Sequence, residues 1–415
     1  MIGLMDCNNF FVSCERLFRP DLINKPVAVL SSNDGCIVAR SQEVKDLGIP
    51  MGIPYFKVAD FCKEKNITLF SSNFELYRDI SKRVMSALKD GCDVCEIYSI
   101  DEAFFNIDSN VKKDEVLKIK TNITQKTGIP VSIGISSTKT LAKIANNAAK
   151  KGEGIQVLKE KDRKAFLENI KCGSVWGIGR QTSACLQRED ISLVSEFLSC
   201  EQSYIKNLLG VVGERLYFEL SGTPVFMVGK QTDQTQESYT SSRSFAEVTH
   251  ERSVLMSALS NHVTTLAEKL RKSKSVASSI SILVRGSRFG SYSHRPANIR
   301  SVLPIPTSDT VLLIKEISEL LDKIYDGEIP YKKAGVTLSG IKPEELIQNS
   351  LFDKKNNEPN KKTISYLLDE INNNNGNGSL RFAVTLGKNS WKEKKELKSS
   401  DYTTSWSEIP RVKAT

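Results

Sequence analysis

The chain has 415 residues, a formal net charge of +9 and nine cysteines, and its length predicts about two to four domains. A hydrophobic fraction of 40% and a charged fraction of 26% are ordinary for a soluble protein with real cores. The scattered cysteines, the absence of a signal-peptide pattern and the absence of a membrane-length apolar run exclude a disulfide framework and a membrane span, so a cytoplasmic protein is expected.

The positive charge is concentrated in one part of the chain. Residues 241–300 hold ten Lys or Arg against three Asp or Glu. Such a block favours a polyanionic partner, nucleic acid before membrane, although a solvated basic face is the alternative. Cys92 and Cys95 form an isolated CxxC with few histidines to complete a metal site, so buried thiols are the favoured interpretation.

Strands and helices alternate up to about residue 160, which indicates an α/β or α+β domain. The predicted elements are a strand at 2–6, two strands around an Asn-Asp-Gly turn at 26–41, a helix ended by Gly48, a helix at 74–88, a hairpin at 97–107, a strand at 129–138 and an Ala-rich helix closed by Gly152.

Short helices follow from residue 171. Gly177 and Gly179 lie between two helical segments, which is typical of a helix-hairpin-helix that presents N–H groups to phosphate, although a plain Gly-rich turn fits equally well. A polar linker is predicted near 232–238. Two helix–strand pairs (about 255–284 and 311–338) then predict a small α+β domain. Beyond Gly340 the chain is polar and of low complexity, apart from a short amphipathic helix at 364–371.

Three carboxylates stand out in the N-terminal part. The strand at 2–6 ends in Asp6, and Asp101-Glu102 forms the tip of the predicted hairpin. A solvated turn would explain the pair alone. Adjacent strands, however, would bring all three carboxylates together, and their repulsion would favour hard cations such as Mg²⁺. A two-metal site of this kind suits nucleotidyl transfer.

Four segments in this order carry a resemblance to a known family: DCNNFFVSCE, SIDEAFF, GISSTKTLAKIANNAAK and VWGIG. They are similar to the motifs of the Y-family translesion DNA polymerases. NDGCIVARS, SSRSFAE, AEKLR, YKKAGV and YTTSW resemble the UmuC type in particular, the catalytic subunit of bacterial DNA polymerase V. The resemblance covers essentially the whole chain.

This resemblance implies an α+β multidomain fold: a right-hand polymerase with a ferredoxin-like palm, small fingers, a helical thumb with a helix-hairpin-helix, and an α+β little finger. The expected boundaries are palm 1–18 and 71–165, fingers 19–70, thumb 166–232, little finger 238–342, and a clamp-binding motif with a UmuC-type extension at 343–415. The implied activity is error-prone, template-directed transfer of dNTPs to a primer 3′-OH in SOS DNA damage tolerance and mutagenesis.

The resemblance also implies roles for single residues at the catalytic centre. Asp6 and Asp101 would bridge two Mg²⁺ ions, and Glu102 would favour the ion near the primer 3′-OH. The backbone carbonyl of Cys7 would be a further ligand.

The nucleotide-binding residues are implied in the same way. Phe11 occupies the position of the steric gate that rejects a ribose 2′-OH, with core packing as the alternative. Lys45 and Lys150 would contact the triphosphate of the dNTP. Cys36 and Val38 would cover the nascent base pair.

DNA contacts are implied for Gly177 and Gly179 of the thumb and for Arg243, Arg285 and Arg288 of the little finger. Such contacts to phosphates are independent of base sequence, which suits a polymerase.

Gln348, Leu351 and Phe352 resemble the short peptide by which bacterial polymerases bind the sliding clamp. A UmuD′-type dimer and a RecA filament are the other implied partners. Two alternatives from different classes are a nucleotidyl cyclase, which would not need a duplex-binding domain, and a catalytically silent DNA-binding scaffold, which would not need an intact acidic triad.

Overall fold

The computed structural model describes residues 1–229, 236–286, 296–346, 360–376, 378–386, 391 and 393–410. The chain divides into two compact units. The first lies within Met1–Ser31, Gly35–Thr232 and Leu397–Thr415, and the second within Ser32–Asp34 and Asp233–Glu396. Within the described residues no helix is long and apolar enough to cross a membrane.

The strands of the described residues are β1 (Ile2–Cys7), β2 (Val27–Leu30), β3 (Ile37–Arg40), β4 (Thr68–Ser71), β5 (Cys95–Ile97), β6 (Glu102–Asn106), β7 (Val131–Ser136), β8 (Ile155–Val157), β9 (Ser238–Thr249), β10 (Ser275–Gly286), β11 (Ala297–Thr307) and β12 (Tyr331–Pro343). The helices are α1 (Phe10–Phe18), α2 (Gln42–Asp46), α3 (Ala59–Glu64), α4 (Phe74–Lys89), α5 (Lys113–Thr127), α6 (Lys139–Ala149), α7 (Arg163–Leu167), α8 (Arg180–Arg188), α9 (Val194–Ser199), α10 (Gln202–Leu220), α11 (Arg252–Lys272), α12 (Thr310–Ile324) and α13 (Asn360–Asn375).

A five-stranded sheet, in the order β5-β6-β1-β7-β8, forms the centre of the first unit. β1 is antiparallel to both β6 and β7, and all six of its residues are buried. Met5 faces the main core cluster, whereas Leu4 packs with Phe104 and Ala142 of α6 on the opposite face. Because both faces of β1 are covered, its sequence is a run of apolar residues that is interrupted by Asp6 near its end.

α6 lies directly against the sheet at Gly134 of β7. A Cβ atom at Gly134 would lie 2.6 Å from the Cα of Asn146, and it would also overlap backbone atoms of Asn146 and Ala142. The buried Asn146 amide donates hydrogen bonds to the carbonyls of Leu4 and Ser132, which joins the helix to β1 and β7. Glycine is therefore required at position 134 by close backbone approach.

A smaller sheet, in the order β3-β2-β4, carries α2 and α3 over its own core. The predicted strand–turn–strand at 26–41 and the helix ended by Gly48 are confirmed, and Gly48 has the positive φ of a helix-ending glycine. The helix expected at 74–88 is α4, and the Ala-rich helix is α6.

α7 to α10 form a helical cluster around a third apolar core. Gly177 has a positive φ and Gly179 is the N-cap of α8, but the segment before them is a single 3₁₀ turn, Cys172–Ser174. The first helix of the expected helix-hairpin-helix is therefore reduced to one turn.

The second unit holds a four-stranded antiparallel sheet, in the order β11-β10-β12-β9, with α11 and α12 packed on one face. The two predicted helix–strand pairs correspond to α11–β10 and α12–β12. The short amphipathic helix expected near 364–371 is the central part of α13. All nine cysteines are free thiols, and Cys92 and Cys95, which were expected to be buried thiols, are half-buried.

Candidate active site

The tip of the β5–β6 hairpin is organised by Ser99. Its hydroxyl accepts hydrogen bonds from the amides of Asp101 and Glu102, and it donates a 2.6 Å bond to Asp101 Oδ1. β5 ends at Ile97, earlier than expected, because the amides of Tyr98 and Ser99 both bond to the Glu102 carbonyl in a tight turn. Asp101 therefore lies in the turn, and Glu102 is the first residue of β6.

Asp6 and Glu102 lie directly opposite each other in the β1–β6 ladder. Burial raises the pKa of Asp6 to about 7, and its hydrogen bond with Glu102 adds to this effect, whereas Lys150 opposes it. Burial also acts to raise the pKa of Glu102, but the hydrogen bond with Asp6 and the Lys143 ammonium hold it below its usual value. Two carboxyls in contact, Asp6 buried and Glu102 half-buried, oppose each other's ionisation, and a nearby cation relieves that repulsion.

Two lysines of the α6 region supply positive charge to this pair. Lys150 Nζ lies 2.7 Å from Asp6 Oδ2, and Lys143 Nζ lies 2.7 Å from Glu102 Oε2. Lys143 also lies over the ring of Tyr98 at 5.1 Å. The sequence analysis identified Lys150 but missed Lys143, although the seven-residue spacing of the two lysines is two helical turns and places them on one face.

Asp101 stands beside the pair without completing a metal-sized cluster. Its backbone carbonyl accepts a 2.9 Å hydrogen bond from the Cys7 amide, which brings the Cys7 backbone next to the hairpin tip. Among the residues that the structure describes, no three His, Cys, Asp or Glu side chains converge closely enough to hold a metal ion. In this side-chain arrangement the lysine ammonium groups bind Asp6 and Glu102. The carboxylate oxygens still match the donor type that Mg²⁺ takes.

Phe11 lies on α1 near the end of β1. Its ring stacks on Tyr77 at 4.4 Å between centroids and meets Phe74 edge-on at 5.9 Å. Tyr77 is fully buried, whereas Phe74 is 38% exposed. Phe11 itself is half-buried at the edge of the main core.

Lys45 of α2 and Arg40 of β3 are two further positively charged residues, and their charges act together with that of Lys150. Lys45 Nζ donates a 2.6 Å hydrogen bond to Asn9 Oδ1. Burial lowers the pKa of Lys45, and the positive charges of Arg40 and Lys150 lower it further. Arg40, which the sequence analysis did not single out, donates to the carbonyl of Ile49.

The two residues expected over the base pair lie on the same small sheet. Cys36 exchanges hydrogen bonds with Ser31: its carbonyl accepts from the Ser31 amide, and its amide donates to the Ser31 hydroxyl. Val38 lies in β3 and is half-buried.

The sheet of the second unit separates the two expected DNA-contacting arginines that are described. Arg285 pairs with Lys333 across β10 and β12, on the face opposite the buried Ala334 and Val336. Arg243 lies on the helix-covered face, because it is two residues from Ser241 and therefore on the same side of β9. The Ser241 hydroxyl bonds to His262 of α11. Arg243 pairs instead with Glu393 at 3.8 Å.

The face that carries Arg285 also holds a basic residue that the sequence analysis did not assign. Arg300 of β11 lies opposite Ser281 and donates to the hydroxyl of Ser279. Further hydroxyls on this face come from Thr240 and Thr337, which bond to each other. Arg288, Gln348, Leu351 and Phe352 lie outside the described residues.

The chain is similar to known protein families and to a solved structure. Residues 5–147 match the model of the impB/mucB/samB family, residues 236–351 match the model of that family's C-terminal domain, and residues 362–412 match a domain of unknown function, DUF4113. The solved structure of a Y-family DNA polymerase chimera of Dbh and Dpo4 is similar with a TM-score of 0.67 and 20% identity, and it covers 82% of this chain and 99% of the chimera. The fold is that of a Y-family DNA polymerase, and the predicted α+β multidomain class is confirmed.

Protein UmuC of Salmonella typhimurium is 37% identical over 424 residues, with 100% of both chains covered. Protein ImpB of the same species is 34% identical over 421 residues, 99% of each chain. DNA polymerase IV 1 of Bacillus subtilis is 25% identical over 398 residues, 94% of each chain. The chain belongs to the impB/mucB/samB family, and the resemblance to UmuC-type polymerases is confirmed.

Proposed function

We propose that the chain carries out template-directed transfer of dNTPs to a primer 3′-OH on damaged DNA, as an error-prone translesion polymerase. The observation that carries this proposal is the pair of buried Asp6 and half-buried Glu102, which lie opposite each other in one ladder and each form an ion pair with a lysine. A cyclase would share this site, but the open basic face of the second unit fits a polymerase that also holds a duplex.

The proposed domains follow the boundaries expected from the family. The palm comprises residues 1–18 and 71–165, the fingers 19–70, the thumb 166–232 and the little finger 238–342, with a clamp-binding motif and C-terminal extension at 343–415. The five-stranded sheet would then belong to the palm and the three-stranded sheet to the fingers.

Two Mg²⁺ ions are the proposed cofactors. Asp6, Asp101 and Glu102 would hold them, together with the backbone carbonyl of Cys7. When bound, such ions activate the attacking hydroxyl and stabilise the leaving pyrophosphate. The protein's own contribution is the pair of buried Asp6 and half-buried Glu102, with the ammonium groups of Lys150 and Lys143 each 2.7 Å from one of the two carboxyls.

Nucleotide selection is assigned to the residues around Phe11. Its ring, fixed against Tyr77, would lie under the sugar and exclude a 2′-OH. Lys45 and Lys150 would bind the triphosphate. The charges of Arg40 and Lys150 both lower the pKa of Lys45, so the three cations are close together, which supports one polyphosphate-binding surface. Cys36 and Val38 would lie over the base pair and leave room for distorted templates.

Duplex binding is assigned to two elements. The Arg285, Lys333 and Arg300 face would contact backbone phosphates, and the Gly177–Gly179 turn would present amides to the primer–template. Arg243, for which the resemblance implies a DNA contact, lies on the other face of this sheet and forms an ion pair with Glu393, so we do not include it in the proposed phosphate-contacting face.

The cellular role proposed is SOS damage tolerance and mutagenesis in the cytoplasm. Full-length similarity to Protein UmuC supports it. A UmuD′-type dimer, a RecA filament and a sliding clamp, the last bound through Gln348, Leu351 and Phe352, are the proposed partners.

Primer extension tests the proposal. The wild type with Mg²⁺, dNTPs, clamp, RecA filament and UmuD′-type partner should extend a primer past an abasic site. Asp101→Ala should abolish extension and leave duplex binding unchanged, because the half-buried Asp101 side chain lies in the hairpin turn and is bonded there by the Ser99 hydroxyl, whereas the proposed phosphate-contacting face belongs to the second unit's sheet. A wild type that extends no primer under these conditions would refute the polymerase assignment, and an active Asp101→Ala would remove that residue from the site.

A further inference from the structure

Residues 397–402 belong to the first unit, where the start of this segment pairs with the end of strand β4. The Ser71 amide donates a 3.0 Å hydrogen bond to the Leu397 carbonyl, and the Leu397 amide donates a 2.9 Å bond to the Ser71 hydroxyl. Ser71 and Lys398 form a parallel bridge. Because β4 is an edge strand of its sheet, this segment covers backbone groups that would otherwise face solvent.

Asn73 holds the same segment by its side chain. Its buried amide lies 3.2 Å from each of three acceptors, the Ser399 carbonyl, the Ser399 hydroxyl and the Ser400 carbonyl. Its Oδ1 meanwhile caps α4 by accepting from the Leu76 amide. One side chain therefore starts α4 and binds the C-terminal segment.

Ser399 connects this segment to a buried carboxyl. Its hydroxyl donates a 3.1 Å hydrogen bond to Glu15 Oε1, which also accepts a 2.6 Å bond from the Tyr77 hydroxyl. Glu15 is fully buried, and its Oε2 has no hydrogen-bond partner among the described residues. Among the described residues, the hydroxyls of Tyr77 and Ser399 are therefore the side-chain donors to Glu15, and both donate to its Oε1.

A path of direct contacts thus runs from the C-terminal segment to Phe11, which belongs with Lys45 and Lys150 to the proposed nucleotide pocket. Ser399 contacts Glu15, Glu15 contacts Tyr77, and the Tyr77 ring stacks on Phe11 at an interplanar angle of 14°. A second anchor lies further along, where Tyr402 stacks on Phe18 at 4.6 Å. Phe18 is the last residue of α1, and Phe11 is the second residue of the same helix.

We propose that residues 397–402, the C-terminal docking segment, are a positioning element of the nucleotide pocket, and that they set how tightly Phe11 excludes a ribose. This inference rests on the proposed function and gives a role to part of the domain of unknown function matched at 362–412. Ser399 and Asn73 are positioning residues that contact no substrate. With the segment docked, Tyr77 is fixed by Glu15, and the Phe11 ring is fixed by Tyr77.

Asn73→Asp is the sharpest variant, because aspartate caps a helix as well as asparagine but has no N–H to donate. The variant should fold and should lose all three bonds to Ser399 and Ser400. Hydrogen exchange on the full chain should then increase at residues 397–402 and at Ser71. Trp406→Ala is the matched control, since Trp406 lies in the same C-terminal region and is 92% exposed.

The functional readout is the equilibrium binding of dNTP and of the matching rNTP to the full chain on a primer–template. We expect the preference for dNTP to fall about tenfold in Asn73→Asp, the scale expected for a pocket that loosens slightly. The loss should arise from tighter rNTP binding, with dNTP binding changed by less than about twofold. Trp406→Ala should keep the wild-type preference.

A double-mutant cycle identifies the path. Ser399→Ala and Tyr77→Phe each remove one donor to Glu15, so their effects on dNTP preference should be non-additive. Additive effects would refute the path through Glu15. Unchanged exchange in Asn73→Asp would refute docking, and retained dNTP preference with increased exchange would refute positioning. A wild type with no dNTP preference would overturn the proposed function together with this inference.

Discussion

Replacing Gly134 with alanine tests whether the candidate active site depends on the close contact between α6 and β7. The new Cβ would lie 2.6 Å from the Cα of Asn146, which is backbone and cannot move by a change of rotamer. Carbon atoms in contact are usually about 3.5 Å or more apart. The helix must therefore move away from the sheet by about 1 Å, or the sheet must bend by as much.

Two effects follow from this displacement. Overpacking of a core usually costs about 1–3 kcal/mol, and because the clash is between backbones the upper end, about 3 kcal/mol, is expected here. Lys143 and Lys150 move with α6, and their 2.7 Å contacts with Glu102 and Asp6 would be broken. A misplacement of about 1 Å near reacting groups can lower the rate by about 100-fold, and we expect a loss of that order.

Native-state hydrogen exchange measures the stability of the first unit separately from the second. Amides of β1 and β7 should lose about 100-fold in protection, the equivalent of about 3 kcal/mol. Gly91→Ala is the matched control, because its Cβ would meet no atom closer than 3.6 Å, and its effect should stay within about 0.5 kcal/mol. Equal protection and equal primer extension in the two variants would show that α6 tolerates a methyl group at this contact and would refute the argument.

Three further predictions concern single side chains. Arg285→Ala should weaken duplex binding and reduce the salt dependence of binding by about one ion, whereas Arg243→Ala should do neither. Fluorescence anisotropy at several salt concentrations measures both quantities. Weaker binding in Arg243→Ala with unchanged binding in Arg285→Ala would refute the assignment of faces. Phe11→Ala should raise ribonucleotide incorporation by at least about tenfold in primer extension, and no rise would leave Phe11 as a core residue. Burial raises the pKa of Glu15 above 4.5 against the opposing Tyr77 and Ser399 hydroxyls, so the unfolded chain releases this proton first as pH rises. The wild type should therefore lose stability relative to Glu15→Gln as the pH rises above about 4.5, and a stability difference that does not change with pH would contradict that sign.

The carboxylate hairpin was predictable because its signals are local. Apolar strands on both sides of Asp101-Glu102 and an acid at the end of the first strand are visible in the sequence, and strands in that order can pair. The register that sets Asp6 opposite Glu102 was not predictable, since a shift of one residue would turn the acid to the other face of the sheet. The register also explains why Asp101 falls in the turn.

The arginines of the second unit show a different limit. Composition indicated a basic block but gave no means of choosing a face, because strand β9 is polar on both sides. Only the pairing with β12 and the hydrogen bond of Ser241 to His262 show that Arg243 faces the helices. The C-terminal segment is a similar case, since its polar residues predict a loose tail and its partners are more than 300 positions away in the sequence.

The two ends of the proposed nucleotide pocket are supported in physically different ways. The phosphate side depends on α6, whose position is fixed by a backbone contact at Gly134 and by the Asn146 amide. The sugar side depends on a chain of hydrogen bonds through Glu15. A close backbone contact is lost only when the unit itself is strained, whereas two hydrogen bonds to a buried carboxyl can be broken while the fold is kept. Release of the docking segment should therefore change sugar selection without loss of triphosphate binding, and a displaced α6 should do the opposite.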